Sequence, residues 1–174
     1  ENVIRVTVSP AADASVRPSL AALPASDKVV WKWKTEGDDA VVYTKAIQVR
    51  VNTKTGQVRY FDAGGRLVLA ERAGLERLTP VEVQGEKTFH AMQKWEPHDD
   101  EAFLGLGQNQ LGLVDMKGFD IDLWQRNTSI ALPFVVSTRG YGLLWDSTSE
   151  VRWGDIRPFV APPADVLLDR DGKE

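Results

Sequence analysis

The sequence predicts an all-β fold, an antiparallel β-sandwich with little helix. Three observations carry this expectation. Apolar and polar residues alternate at period two along most of the chain. Glycine- and proline-marked turns separate the runs, and no long stripe at i, i+3, i+4, i+7 interrupts them. About ten short strands of this kind pack best as two facing sheets.

The elements follow in order. In "VIRVTV", Ile4, Val6 and Val8 share a face opposite Arg5 and Thr7, which predicts a first strand. The segment Pro10 to Pro24, rich in small residues and prolines, reads as an exposed loop. "KVVWKWK" sets Val29, Trp31 and Trp33 against Lys32 and Lys34, and places the two tryptophans in the core. "AIQVRV" aligns Ile47, Val49 and Val51. "QVRYF", "DAGG" and "RLVLAE" predict a hairpin, because Gly64 and Gly65 can adopt the positive φ of a tight turn. "LAERAGLERL" has the spacing of a short helix, weakened by Gly74. Further strands are expected at "KTFHAMQKW", "AFLGLG", "FDIDLW", "ALPFVVS", "YGLLWD" and "EVRWG", with Trp145 in the core. "RPFVAPPADVLL" reads as an extended strap over a sheet.

Composition narrows the function. A chain of 174 residues suits one domain with a sizeable core. The net charge is −4, and Lys and Arg are scattered, so no basic stripe for nucleic acid exists. No apolar run approaches the roughly 18 residues of a membrane helix, so no membrane span is expected. Cysteine is absent, which excludes disulfides and thiolate metal sites without fixing a compartment. The chain starts at Glu1 rather than Met and stops on "APPADVLLDRDGKE", a polar, turn-like end; both suggest a domain excised from a longer chain.

Catalytic constellations are sparse. His90 and His98 make a poor metal pair without a third nitrogen ligand, so neither a metal nor another cofactor is expected. No serine elbow or triad is readable. "GLGQNQLG" lacks the lysine and the following helix of a phosphate loop. Paired carboxylates can hydrolyse a glycoside, and "FDIDLW" sets Asp120 and Asp122 on one strand face; solvent-facing acids would look the same. Asp115, Asp146, Glu150 and Asp155 form no better pair. Trp124 differs from the other tryptophans. Its phase puts it with Asp120 and Asp122, away from Ile121, and "QRNTSI" follows it. An aromatic plane beside amide, guanidinium and hydroxyl groups suits a sugar.

Several motifs together carry a family likeness. "FLGLGQNQ", "LWQRNT", "ALPFVVSTRGYGLLWDS" and "EVRWGD" resemble the N-terminal domain of glycoside hydrolase family 31 in order and spacing over Ala102 to Asp155. "NVIRVTVSP" and the hairpin "VNTKTGQVRYFDAGGRLVLAE" resemble that domain's earlier strands. Gln110 to Gly112, Asp115 to Gly118 and Leu123 to Thr128 resemble the bacterial α-xylosidase branch.

The resemblance implies a galactose-mutarotase-like β-sandwich over residues 1–174, packed on a (β/α)8 barrel of the same polypeptide. A sugar-binding domain would be inserted after "VLLDRDG". It also implies retaining hydrolysis of an α-linked oligosaccharide by two barrel aspartates, with no catalytic residue in this fragment. Xyloglucan oligosaccharides are the implied substrates, and a periplasmic or cell-envelope location the implied compartment. By position Trp124, Gln125, Arg126, Asn127 and Thr128 belong to a loop reaching the barrel mouth. Asn127 stands where many members carry Asp. Arg139, between "ST" and "GYG", is expected to be structural, with Gly140 and Gly142 bending the backbone around it. Alternatives are an α-glucosidase of the same family, a free-standing carbohydrate-binding module, and an aldose mutarotase, whose histidine and glutamate are not obviously supplied.

Overall fold

A computed structural model of the chain describes residues 2–11, 18–23, 28–74 and 77–154. It contains twelve strands and no helix among the described residues, and every strand pairing is antiparallel. Two compact units divide the chain, Glu1–Glu101 and Ala102–Glu174.

In the first unit β1 (Lys32–Glu36), β2 (Asp39–Tyr43), β3 (Ile47–Asn52), β4 (Val58–Asp62) and β5 (Leu67–Ala70) form a five-stranded meander in chain order. Its register aligns Trp33, Val42, Val49, Tyr60 and Leu69 across one face. Val41, Val49, Val58, Leu69 and Ala70 are buried. The predicted β4–β5 hairpin is present. Gly65 takes the positive φ and Gly64 does not. The turn is fastened instead by Asp62, whose Oδ1 accepts from the Gly64 and Arg66 amides at 3.0 and 2.9 Å. These amides, with the Arg66 guanidinium, hold the Asp62 carboxyl below the ordinary carboxylate range.

A second hairpin pairs β6 (Leu78–Val83) with β7 (Glu86–Ala91) around Gln84 and Gly85, both at positive φ. The chain then returns beside β5, where Glu71 bridges to Trp95.

The second unit has a three-stranded sheet, β8 (Phe103–Gln108), β10 (Ile130–Ser137) and β11 (Gly142–Leu144), with β10 central. A two-stranded sheet pairs β9 (Ile121–Leu123) with β12 (Val151–Trp153). Phe103, Leu106, Met116, Ile121, Leu123 and Val135 form the buried core between them, with Trp153 set edge-on to Phe103 at 5.4 Å. The glycines of "FLGLGQ" have a steric purpose. A Cβ on Gly107 would lie 2.0 Å from the Ile130 carbonyl oxygen, and one on Gly105 2.6 Å from that of Phe134. Between these contacts the register slips: Ala131 opposes Gly107 but Val135 opposes Gly105. β10 thus bulges, and Pro133, which lacks an amide donor, sits in the bulge.

Four expectations need correction. Ile4–Val8 joins no strand: alternation supplies a face, but no neighbouring strand among the described residues pairs with it. Trp31 and Trp33 are 58% and 64% exposed, because Trp31 precedes β1 and Trp33 lies on an edge strand with nothing beyond it in the sheet. Trp145 is only half-buried. No helix forms among the described residues of Leu69 to Leu78; β5 runs to Ala70, and a turn with Gly74 at φ 70° follows. The described parts of Pro10 to Pro24 carry no helix or strand, as expected of a loop. The strap "RPFVAPPADVLL" and Asp155 lie outside the described residues.

Candidate functional site

The stretch after β9 holds the residues expected to meet a sugar. Alternation across β9 is as the sequence implies. Ile121 and Leu123 are buried, whereas Asp120, Asp122 and Trp124 are exposed. Trp124 is 56% exposed.

Beyond Trp124 the backbone turns tightly. Arg126 and Ser129 form an isolated antiparallel bridge, with Ser129 N donating to the Arg126 carbonyl at 3.1 Å. Asn127 and Thr128 occupy the turn and are exposed. Gln125 fastens the turn to β10, since its Oε1 accepts from the Ala131 amide at 3.1 Å. Arg126 Nε donates to Ser129 Oγ at 3.4 Å. Neither Asn127 nor Thr128 has a side-chain hydrogen bond among the described residues. The structure therefore divides the five residues. Gln125 and Arg126 shape the turn, while Trp124, Asn127 and Thr128 present unengaged groups.

Next to this turn lies a shallow cavity of about 160 Å³, with Leu123, Ala131, Pro133 and Val151 as apolar lining and Gln125, Ser147, Thr148 and Ser149 as polar lining. The three hydroxyl residues escape a reading of the sequence because "DSTSE" has the composition of any turn. Ser149 N donates to Ser147 Oγ at 3.1 Å, a local bond of the kind that closes such a turn.

The carboxylates of this region are structural. Asp120 takes a bidentate contact from Arg152, Nε to Oδ1 at 2.7 Å and Nη2 to Oδ2 at 2.5 Å, and Asp122 Oδ1 lies 3.4 Å from the same Nε. Arg152 opposes Asp122 across the β9–β12 ladder, so the pair ties the two strands together. Asp115 Oδ1 accepts from the Lys117 and Phe103 amides, both at 2.9 Å, which holds its carboxyl below the ordinary range. Among the described residues no group of three His, Cys, Asp or Glu side chains could hold a metal ion. No helix there is long and apolar enough to cross a membrane.

The turn after β10 answers for "STRGYG". Gly140 N donates to the Ser137 carbonyl at 3.0 Å, Ser137 N to that of Tyr141 at 2.8 Å, and Gly140 has φ 86°. Gly142 differs from expectation. Its φ is not positive; a Cβ there would stand 3.0 Å from the Phe134 ring, so Gly142 makes room rather than a bend.

Comparison with known proteins agrees with this architecture. An α-xylosidase of Saccharolobus solfataricus is 32% identical over 160 residues, covering 86% of this chain and 21% of that protein. The crystal structure of a family 31 α-xylosidase from Xanthomonas citri matches with a TM-score of 0.74 at 37% identity, covering 79% of this chain and 15% of that one. A family 31 α-xylosidase from a soil metagenome, complexed with xylose, matches with a TM-score of 0.71 at 28% identity, covering 82% and 24%. The chain thus spans about a fifth of the length of these proteins. The family model described as the glycosyl hydrolase 31 N-terminal galactose mutarotase-like domain matches residues 1–153. Residues, strand order and relatives converge, and the chain belongs to the N-terminal galactose mutarotase-like domain family of glycosyl hydrolase 31.

Proposed function

We propose that this chain is the N-terminal accessory domain of a retaining, exo-acting α-xylosidase that acts on xyloglucan oligosaccharides. In this reading the polypeptide continues into an inserted sugar-binding domain and a (β/α)8 barrel. Two barrel aspartates supply nucleophile and acid/base, which is the division of labour a retaining glycosidase needs. The observation that carries the reading is the loop from Trp124 to Thr128, an exposed indole followed by side chains with unengaged donors and acceptors, within a chain whose relatives include α-xylosidases.

The loop contributes binding and orientation. Trp124 offers a flat apolar face to a sugar ring. The neutral amide of Asn127 can both donate to and accept from a hydroxyl, which a carboxylate cannot do. Gln125 and Arg126 hold the turn's shape.

The test is hydrolysis by the complete polypeptide. Xylose lacks glucose's hydroxymethyl group, a difference worth roughly tenfold or more in kcat/KM when a pocket is shaped to one of them. Aryl α-xyloside should therefore be preferred over aryl α-glucoside, and the 174-residue chain alone should turn over neither. The reverse preference makes the enzyme an α-glucosidase. Titration of the 174-residue chain with xyloglucan oligosaccharides addresses the other class, since saturable binding without the barrel identifies a binding module.

A further inference from the structure

The cavity beside the loop carries chemistry that its turns do not use up. Its volume is about 160 Å³, below the roughly 300 Å³ at which sites for whole drug-sized ligands begin, so it suits a single ring rather than a chain. No charged side chain lines it, so an anion or a cation would enter without a counter-charge. One wall is apolar, with Leu123, Pro133 and Val151. The other carries the hydroxyls of Ser147, Thr148 and Ser149 and the amide of Gln125. Ser147 Oγ accepts from the Ser149 amide, and Gln125 Oε1 from the Ala131 amide. The Gln125 NH2 group and the Thr148 and Ser149 hydroxyls have no hydrogen bond among the described residues. A purely apolar ligand would strand these groups away from water. A pyranose satisfies both walls, because its ring offers C–H faces and a rim of neutral hydroxyls that donate and accept.

We propose that this cavity is a saccharide site separate from the exposed side chains of the loop, and that it holds one neutral sugar unit of the substrate beyond the unit that is removed. The proposal rests on the reading of the chain as part of an exo-acting α-glycosidase that acts on oligosaccharides. Such an enzyme cuts off only the terminal sugar, and the remaining units must be held elsewhere. Gln125 makes the link in space. It belongs to the Trp124–Thr128 loop, it is bonded to Ala131 near the start of β10, and both residues line the cavity. A substrate that reaches the loop thus finds the cavity next to it. The Ser147–Ser149 turn then selects for length, since an oligosaccharide gains contacts there that a single glycoside cannot make.

Hydrogen exchange with mass mapping tests the site without relying on turnover, using the complete polypeptide with and without xyloglucan oligosaccharides. Saturating sugar should slow exchange of the amides from Ser147 to Val151 about threefold or more by mass action. The double substitution Thr148→Val with Ser149→Ala should abolish that protection. Both residues are exposed and outside any strand, so the change leaves the core alone. Sugar that protects only the loop, or nothing in residues 1–174, leaves the cavity to solvent and overturns the proposal. Equal protection in parent and variant also overturns it. Kinetics supplies a second readout. Each lost hydrogen bond should raise KM for the oligosaccharide roughly 2- to 13-fold relative to KM for aryl α-xyloside, which has no further sugar to place. Equal changes on both substrates overturn the proposal. A parent protein that hydrolyses neither substrate yet shows the protection would sink the enzymatic reading and leave the sugar site standing. Hydrolysis without the protection would do the reverse.

Discussion

Arg77 donates through Nη2 to Oε2 of Glu71, a carboxylate only 2% exposed at the end of β5. Glu71 is otherwise satisfied by the Val58 amide at 2.9 Å on the same oxygen and by Gln93 Nε2 on Oε1. Arg77 also reaches the Gly56 carbonyl at 2.5 Å. One buried ion pair therefore joins the β3–β4 turn, the end of β5, the approach to β6 and the segment after β7.

Removing the acid should be costly. Glu71→Ala leaves the Arg77 cation and the Val58 amide without their partner in a closed site, a loss of about 3–5 kcal/mol for breaking a buried pair. Glu71→Gln keeps the shape and one acceptor and should lose less. Urea denaturation of the three proteins measures both; an alanine variant within error of the parent would show that the network is idle.

Tyr60 gives this region a pH dependence. Burial pushes its phenol far above the ordinary tyrosine value, the charge of Glu71 adds to the shift, and Arg77 opposes it. Its folded-state pKa is raised, so the contribution is fully present below the unfolded pKa of about 10 and is lost as pH rises beyond it, where only the unfolded chain gives up the proton. Stability should fall above about pH 10. Tyr60→Phe should flatten that decline. An identical alkaline decline in both proteins would place its cause elsewhere.

Much of this fold is legible where pattern and pairing coincide. The β4–β5 hairpin, the Ile121 and Leu123 phase and the β10–β11 turn all follow from local alternation and glycine position. The sequence alone does not indicate β2 and β6. "DAVVY" runs three apolar residues together and so shows no alternation, and Pro80 within "LTPVEV" argues against a strand; the exposed β6–β7 hairpin accommodates it. The first segment and Trp33 mislead for the opposite reason: alternation names a face without saying whether a neighbour covers it. Glu71 was invisible because its partners come from 6, 13 and 22 residues away. The candidate loop was legible from the phase of Trp124 and from family likeness. The hydroxyl-lined cavity beside it was not, because it forms only when β10 and the Ser147–Ser149 turn come together.

Two glycines with positive φ should respond differently to alanine. Gly140 has φ 86° and open space around it, so Gly140→Ala meets only backbone strain, about 1–2 kcal/mol. Gly154 has φ 119°, and a Cβ there would stand 1.8 Å from the Phe119 carbonyl oxygen. Gly154→Ala should add a backbone overlap to the strain and lower the melting temperature clearly further. Equal losses would mean that the β12 end moves aside freely.

Asn127→Ala in the complete enzyme tests the loop. Asn in a turn commonly caps its own backbone, and that role predicts a lower melting temperature with unchanged kinetics per folded molecule. The structure argues for the other outcome, because the Arg126–Ser129 bridge closes this turn through backbone groups while the Asn127 side chain has no hydrogen bond among the described residues. Deleting the amide should then leave the melting temperature nearly where it was. What it should remove is one neutral hydrogen bond to a sugar hydroxyl, worth about 0.5–1.5 kcal/mol, or roughly a 2- to 13-fold fall in kcat/KM. Asn127→Asp separates the two further. It keeps the acceptor and loses the donor, so a sugar contact that needs only an acceptor would survive it and one that needs the amide hydrogen would not. A clear fall in melting temperature with unaltered kcat/KM would assign Asn127 to the turn and leave Trp124 and Thr128 as the loop's remaining sugar contacts.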